Sequence, residues 1–535
     1  MTQAQQHTTT TGLDTWLWGL LAALCVQAST SASQANSSVY DAREKDWRNG
    51  AVVYQILVDR FAPSANLGAK KHLYPAPKVL HDWHEVPQRG VELADQKLNS
   101  QELAFWGGDL QSARSRLDHV QQLGATAIYL NPIHLAFTNH KYDALDFKAI
   151  SPEFGTREDF KRFAADAHQR GMKVVLDGVF NHMGRNSEPF KQAMANPKSP
   201  WRNWFAIGPQ YQGGARVWTG YQNLPELNLE HPPVRQYLYE APDSVLRGYL
   251  RDGADGWRLD TAFELGQRYL QDLQRAARKE KNDALIVGEI VNYPDQWLRA
   301  MDGVMNFTLR KIILGLAQGD LSTTAAARMT ERLVRDAGIE PLLKSWNVID
   351  NHDIPRIATQ LPDVRQRRLV QALQFTLPGS PNVYYGSEVG MTGGGDPENR
   401  GPMRWDWVQA DQPELVWMKR LIALHKGHRA LRVGDYRRIE AERLFVFERH
   451  TDRALDTRIV LANPGNTPVT ETLMVANASL MDDTPLVDLL AENTAQPVTT
   501  MGPGLITVTV PAQSVRVLQP IERDLGGYSR YKRVR

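Results

Sequence analysis

The stretch that decides the fold is Gly253-Ala-Asp-Gly-Trp-Arg-Leu-Asp260, near the middle of the 535-residue chain. It reads as a short strand. Alternation places Trp257 and Leu259 on one side and Arg258 and Asp260 on the other. A strand this apolar belongs in a core, yet it carries a cation and a carboxylate on one face. Seven further runs have strand character, at 51–58, 125–130, 172–179, 285–289, 303–307, 346–350 and 382–385. Amphipathic segments lie between them, among them 110–123, 157–170, 233–251 and 363–375. Eight strands with intervening helices predict an α/β fold whose parallel sheet closes into a (β/α)8 TIM barrel. The alternative, an open doubly wound sheet, has no Gly-rich phosphate loop to support it.

One interval breaks the rhythm. Asp177 and Asp260 are 83 residues apart, whereas one βα unit needs only about 30. The excess, 182–230, is rich in Trp201, Trp204, Phe205, Tyr211, Trp218 and Tyr221. An insertion after the third strand emerges on the face of a barrel that carries chemistry. It is expected to form a small aromatic domain over a cleft. After about residue 430 the pattern turns to short alternating strands at 443–449, 458–462 and 505–510, with a turn at Asn463-Pro-Gly-Asn466. This predicts a C-terminal antiparallel β-sandwich. The expected organisation is a leader over 1–35, a barrel over 36–181 and 231–430, an insert over 182–230 and a sandwich over 431–535.

Net charge is +2 with 23% charged residues, so no charge excess calls for nucleic acid. Cys25 is the single cysteine, which leaves no intrachain disulfide and no thiolate metal cluster. It lies in the apolar run 16–26, too short to span a bilayer and followed by small residues at Val26-Gln-Ala28 and Ser33-Gln-Ala35. The segment reads as a secretory signal peptide, although residues 1–15 hold no Lys or Arg. A periplasmic or secreted protein is expected.

Polar residues at the ends of barrel strands are candidates for chemistry. Here they are Asp177 with Asn181 and His182, Arg258 with Asp260, Glu289, and the run Asp350-Asn-His-Asp353. Asp260 and Glu289 are 29 residues apart, one βα step, and Glu289 and Asp353 are 64 apart, about two steps. Asp260, Glu289 and Asp353 therefore converge on one mouth from strands four, five and seven. Convergent carboxylates without thiolates suit glycoside cleavage or metal-assisted chemistry, but no His-x-x-x-His pair favours a metal. Glycoside cleavage needs one ionised and one protonated carboxyl. Arg258 is expected to keep Asp260 ionised, and burial at the end of Leu285-Ile-Val-Gly288 is expected to raise Glu289.

The segments Asp177-Gly-Val-Phe-Asn-His182, Gly256-Trp-Arg-Leu-Asp260, Gly288-Glu-Ile290 and Val348-Ile-Asp-Asn-His-Asp353 resemble, in order, the four signature regions of the α-amylase family, glycoside hydrolase family 13. The resemblance implies Asp260 as nucleophile, Glu289 as general acid/base and Asp353 as transition-state stabiliser. It implies sugar contacts from Asp177, His182, Arg258 and His352, with Tyr142 stacked beneath the sugar and Glu264 and Arg356 in the substrate-binding set. Phe105-Trp-Gly-Gly-Asp-Leu110, Asn139-His-Lys-Tyr-Asp143 and the glycine-rich stretch 386–397 look like the cyclomaltodextrinase, neopullulanase and maltogenic amylase group. Leu224-Pro-Glu-Leu-Asn228 resembles that group's extra signature, with Glu226 where lysine is common. The implied reaction is retaining hydrolysis of α-1,4 bonds in cyclodextrins, maltooligosaccharides or related α-glucans, with some transfer to acceptors. A glucanotransferase or sugar isomerase on the same site, and a non-catalytic glucan-binding relative, are the alternatives. No cofactor is required; calcium is compatible with the family, with Asn181 as its one candidate ligand. An α-glucan or cyclodextrin is the expected partner, without nucleic acid or a membrane span. That group's dimer uses a long N-terminal sandwich, and about fifty residues precede the first strand here, so the oligomeric state stays open.

Overall fold

The computed structural model describes residues 39–523 and 525–534. The leader expected over 1–35 lies outside them. Residues 39–45 are helical, and Trp47–Arg535 form one compact unit. Eight parallel strands close into a barrel: β1 (Val53–Ile56), β2 (Ala127–Leu130), β3 (Lys173–Gly178), β4 (Gly256–Leu259), β5 (Leu285–Ile290), β6 (Gly303–Asn306), β7 (Trp346–Asn347) and β8 (Ser380–Tyr384). Each pairs with its sequence neighbours, and β1 closes the ring between β8 and β2. All eight expected strands are present.

The period of two along each strand explains both the core and the mouth. Val53, Ala127, Val175, Val287, Met305 and Trp346 belong to one buried cluster inside the barrel. Two residues further along, the same side of β1, β2, β3 and β5 carries Gln55, Tyr129, Asp177 and Glu289. A packed apolar plug is thus topped by a polar layer at the C-terminal strand ends. The opposite faces pack against the surrounding helices in the large cluster holding Ile128, Trp257, Leu259 and Ile286.

The other end of β4 is held by a charged knot. The buried Asp255 carboxylate accepts the Val174 N–H at 2.9 Å, with His168 at 2.7 Å, Lys281 at 2.5 Å and Lys173 at 3.2 Å. The His168 hydrogen bond, followed by Lys281 and the Val174 N–H, offsets its desolvation and keeps its pKa below the carboxylate range despite burial. It fixes the N-terminal end of β4 between β3 and the Lys281 turn.

β7 is shorter than expected, two residues instead of five. The chain leaves the ladder at Val348, and the Asn351 side-chain oxygen accepts the N–H groups of Asp353 (2.8 Å) and Ile354 (3.1 Å). That turn carries His352 and Asp353 over the mouth.

Between β3 and β4, residues 182–230 form a helix at Glu188–Ala195, several short 3-10 turns and isolated bridges such as His182↔Glu226 and Phe205↔Leu227. Trp204 and Phe205 are buried within this insert. After residue 434, β9 (Asp435–Arg438), β10 (Phe445–His450), β11 (Arg458–Asn463), β12 (Val469–Met474), β13 (Pro485–Asp488), β14 (Pro497–Thr500), β15 (Leu505–Val510) and β16 (Ser514–Pro520) form two antiparallel sheets. One has the order β9-β10-β11-β16-β13-β14 and the other pairs β12 with β15. Ile459, Leu461, Val469, Leu473, Ile506 and Val508 share one apolar core between them, as a sandwich requires.

Candidate active site

The register of adjacent strands assembles the site. Arg258 on β4 lies directly opposite Asp177 on β3. Its Nη1 donates to Asp177 Oδ1 at 2.9 Å and Oδ2 at 3.1 Å, and to Asp260 Oδ1 at 2.9 Å. Its Nη2 makes an ion pair with Glu289 Oε2 at 3.0 Å. One buried guanidinium therefore joins three carboxylates from three consecutive strands, an arrangement for which its planar fork is suited and a lysine is not.

Asp260 is followed by Thr261 in the left-handed region, at φ 40°. A β-branched residue there is strained. The Thr261 N–H donates to Glu289 Oε2 at 2.9 Å, so the strained turn after β4 positions the carboxyl on β5. Asp353, with 38% of its side chain exposed, completes the set from the β7 turn, held by His352 Nε2 at 3.1 Å and Arg400 Nη2 at 3.3 Å.

A second network sets the proton positions. Gln55 Nε2 lies 3.0 Å from Asn131 Oδ1 and 2.9 Å from His352 Nδ1, while Gln55 Oε1 accepts from Asn382. Gln55 therefore presents its N–H group to His352, which places that imidazole's proton on Nε2. Nε2 faces Tyr142 Oη at 2.5 Å, and Tyr142 Oη donates to Asp177 Oδ2 at 2.9 Å. The Tyr142 and His352 rings are parallel within 3°, with centroids 5.4 Å apart. Burial, with Arg258 and Arg400 nearby, keeps His352 neutral, well below the usual histidine range. His182 is also neutral, pushed down to about 3 by burial and by His140. Its buried Nε2 has no hydrogen-bond partner among the described residues and lies 4.0 Å from Asp260 Oδ2.

The electrostatics set burial against the charge of Arg258. Burial raises Asp260 well above the carboxylate range; Arg258 lowers it, and the charges of Glu289, Asp177 and Asp353 raise it again. Glu289 is raised by burial too, against Arg258. Arg258 therefore opposes the rise at Asp260 without cancelling it, and burial raises the neighbouring Asp177 against the same cation. Glycoside cleavage requires one ionised and one protonated carboxyl at this mouth.

Most sequence-derived residues gather here: Tyr142, Asp177, His182, Arg258, Asp260, Glu289, His352 and Asp353. Arg356 does not join them. Its guanidinium lies over the Tyr384 and Tyr385 rings, 4.5 and 5.0 Å from their centroids, and donates to the Tyr385 carbonyl at 2.7 Å. It closes the barrel wall behind the β7 turn, and Arg400 is the arginine that reaches Asp353. Glu264 sits at the exposed rim, where it accepts from Asn181 Nδ2 at 3.2 Å. Asn181 itself is turned with its amide N–H group toward Glu264. Among the described residues no three His, Cys, Asp or Glu side chains cluster as metal ligands. Of the insert's aromatics, Trp218 stacks on His182 at 5.6 Å and Tyr221 on Trp218 at 5.6 Å.

Sequence reasoning missed Arg400, Gln55, Asn131 and Tyr129, whose hydroxyl donates to Asp177 Oδ2 at 2.5 Å. Gln55 and Tyr129 had a signal, as polar atoms on the inward side of buried strands.

A (β/α)8 barrel whose mouth holds three guanidinium-linked carboxylates, a fourth from the β7 turn and two neutral histidines defines a glycoside-cleaving enzyme. The model of the α-amylase catalytic domain matches residues 55–420, and the chain belongs to the α-amylase family, in which cleavage with retention is general. A cyclomaltodextrinase from a Bacillus species is 33% identical over 433 residues, covering 78% of this chain and 73% of that protein. Neopullulanase 2 of Thermoactinomyces vulgaris is 32% identical over 441 residues, covering 78% and 70%. Among solved structures, the ligand-free cyclic α-maltosyl-(1→6)-maltose hydrolase of Arthrobacter globiformis superposes with a TM-score of 0.73 at 29% identity, covering 89% of this chain and 99% of that one.

Proposed function

We propose that this protein hydrolyses α-1,4-glucosidic bonds of cyclodextrins, maltooligosaccharides and related α-glucans, and transfers part of the glycosyl groups to sugar acceptors. The observation that carries this reading is the single Arg258 guanidinium within 3.0 Å of both Asp260 and Glu289. Glu289 gives its proton to the glycosidic oxygen as the C1–O bond breaks. Asp260 attacks C1 from the opposite face and forms a glycosyl ester. Glu289, now ionised, takes a proton from water or a sugar hydroxyl, which displaces Asp260 and restores the configuration at C1. Asp353, His182 and the Nε2–H of His352 meet the sugar hydroxyls, and the Tyr142 ring supports the sugar face.

Choice of substrate rests on the names of the relatives and on the 105–110, 139–143 and 386–397 segments. Chromatography of digests of β-cyclodextrin, pullulan and soluble starch, run side by side, tests it. Cyclodextrin is expected to be opened faster than starch is degraded; the reverse order would refute this choice. Maltotriose without a rise in reducing ends would point to a glucanotransferase or isomerase instead.

Export is part of the proposal, on the apolar run 16–26 and the small residues after it. Expression of the full chain followed by cell fractionation is expected to give a periplasmic or extracellular protein shortened near residue 28 or 35. An intact chain in the cytosol would contradict export.

A further inference from the structure

The turn after β7 has no strand ladder under it. The last paired residue is Asn347, and Asp353 stands further along the chain with 38% of its side chain exposed. The Asn351 side chain caps two N–H groups of this turn, which leaves its buried carbonyls to be met from elsewhere. They are met from one place, the 3-10 turn Glu398–Arg400 in the loop after β8. Asn399 Nδ2 donates to the Asn351 carbonyl at 3.3 Å and to the Ile354 carbonyl at 3.0 Å. Arg400 Nε donates to the His352 carbonyl at 2.8 Å. The carbonyls on both sides of Asp353 are thus tied to two adjacent side chains, and Asn399 holds the outer pair.

Asn399 is fully buried. Its amide orientation is forced, because two carbonyl oxygens accept only from Nδ2. Oδ1 is left without a hydrogen-bond partner among the described residues, so the side chain serves the turn at the expense of its own second polar atom. The turn that carries it is pinned in its own right. The Asn399 carbonyl accepts the Tyr384 hydroxyl of β8 at 3.3 Å, and the Glu398 N–H donates to the Gly395 carbonyl at 2.9 Å. Gly393 passes so close that an added Cβ would overlap the Glu398 carbonyl oxygen and lie 2.7 Å from Asn399 Cα. The glycine-rich stretch 386–397 therefore folds tightly enough to press Asn399 against the back of the β7 turn.

We propose that Asn399 is a positioning residue for Asp353, fixing the place of that carboxylate over the mouth without touching the sugar. The proposal rests on the glycosidase reading above. It gives the glycine-rich loop a role in the chemical step, carried by the main chain of the β7 turn.

The test is a double-mutant cycle on fluoride release from α-maltosyl fluoride, with wild type, Asn399→Ala, Asp353→Asn and the double variant. Asn399→Ala is expected to lower kcat by about 10- to 10²-fold, the scale of a misplacement near 1 Å, with KM changed by less than about twofold. In the Asp353→Asn background the same change is expected to alter kcat by less than about threefold, because its effect passes through the missing carboxylate. Gly393→Ala, which displaces the 398–400 turn without altering Asn399 or Asp353, is expected to repeat both results and serves if Asn399→Ala does not fold. Equal falls in the two backgrounds, or a rise in KM at unchanged kcat, would overturn the positioning role and leave the glycosidase reading intact. A wild type inert on maltotriose and on the fluoride would overturn the glycosidase reading and this role with it.

Discussion

Asp260→Asn is expected to lower kcat on maltooligosaccharides by about 10⁴-fold or more, the scale seen when a covalent catalyst is removed. Glu289→Gln should cost as much on the same substrates but respond differently to the leaving group. An α-maltosyl fluoride leaves without a proton, so the first step survives in Glu289→Gln and fails in Asp260→Asn. The pair of substrates separates nucleophile from acid, which a single substrate does not. The fold is expected to tolerate the Asp260 change. A carboxyl whose pKa is raised on folding stabilises the protein below its unfolded value and loses that contribution as pH rises through the folded value. Burial raises Asp260, so at neutral pH its ionised form is a cost to folding. A neutral amide is therefore expected to keep or raise the Tm. A variant that retains wild-type turnover would remove Asp260 from the nucleophile role.

Arg258→Lys is expected to reduce kcat/KM by about 10²-fold, the scale for loss of one pre-organised charged contact. A lysine ammonium cannot hold Asp177, Asp260 and Glu289 as the guanidinium does at 2.9, 2.9 and 3.0 Å. The pH profile of kcat/KM supplies the specific sign. Arg258 lowers both Asp260 and Glu289 against the effect of burial. Weakening it lets both carboxyls rise, so the acidic and the basic limb both move to higher pH. Merely structural damage would lower the plateau without moving the limbs. Arg258→Ala is expected to be worse for folding, by about 3–5 kcal/mol, because it leaves buried carboxylates without a counter-charge.

How much of this was legible in the sequence follows from where the signal is local. The strand 253–260 announces itself, because alternation alone puts Arg258 and Asp260 on one face. The partner Glu289 follows from one βα step downstream, and Asp177 from the preceding strand once the excess length before β4 is read as an insert. The insert between β3 and β4 was visible as excess length. What was hidden depends on long-range side-chain direction. Arg356 follows the β7 turn and Arg400 follows the glycine-rich stretch 386–397, and only the fold shows that one packs on Tyr384 and Tyr385 while the other reaches Asp353. The same holds for Gln55, whose role is decided by His352, 297 residues away. The ionisation of Asp260 was half legible: the sequence supplied the cation, but the burial and the three neighbouring carboxylates that oppose it are properties of the closed barrel.

The central claim, that Asp260 attacks and Glu289 protonates, is tested most directly by trapping. In Glu289→Gln the second step lacks its base, so α-maltosyl fluoride should load the enzyme faster than water unloads it. Acid quenching, proteolysis and mass spectrometry of the peptides then locate the sugar. A maltosyl group on the peptide at Asp260 is the predicted result. A maltosyl group on the peptide at Asp353, or no covalent sugar while fluoride is still being released, would contradict it.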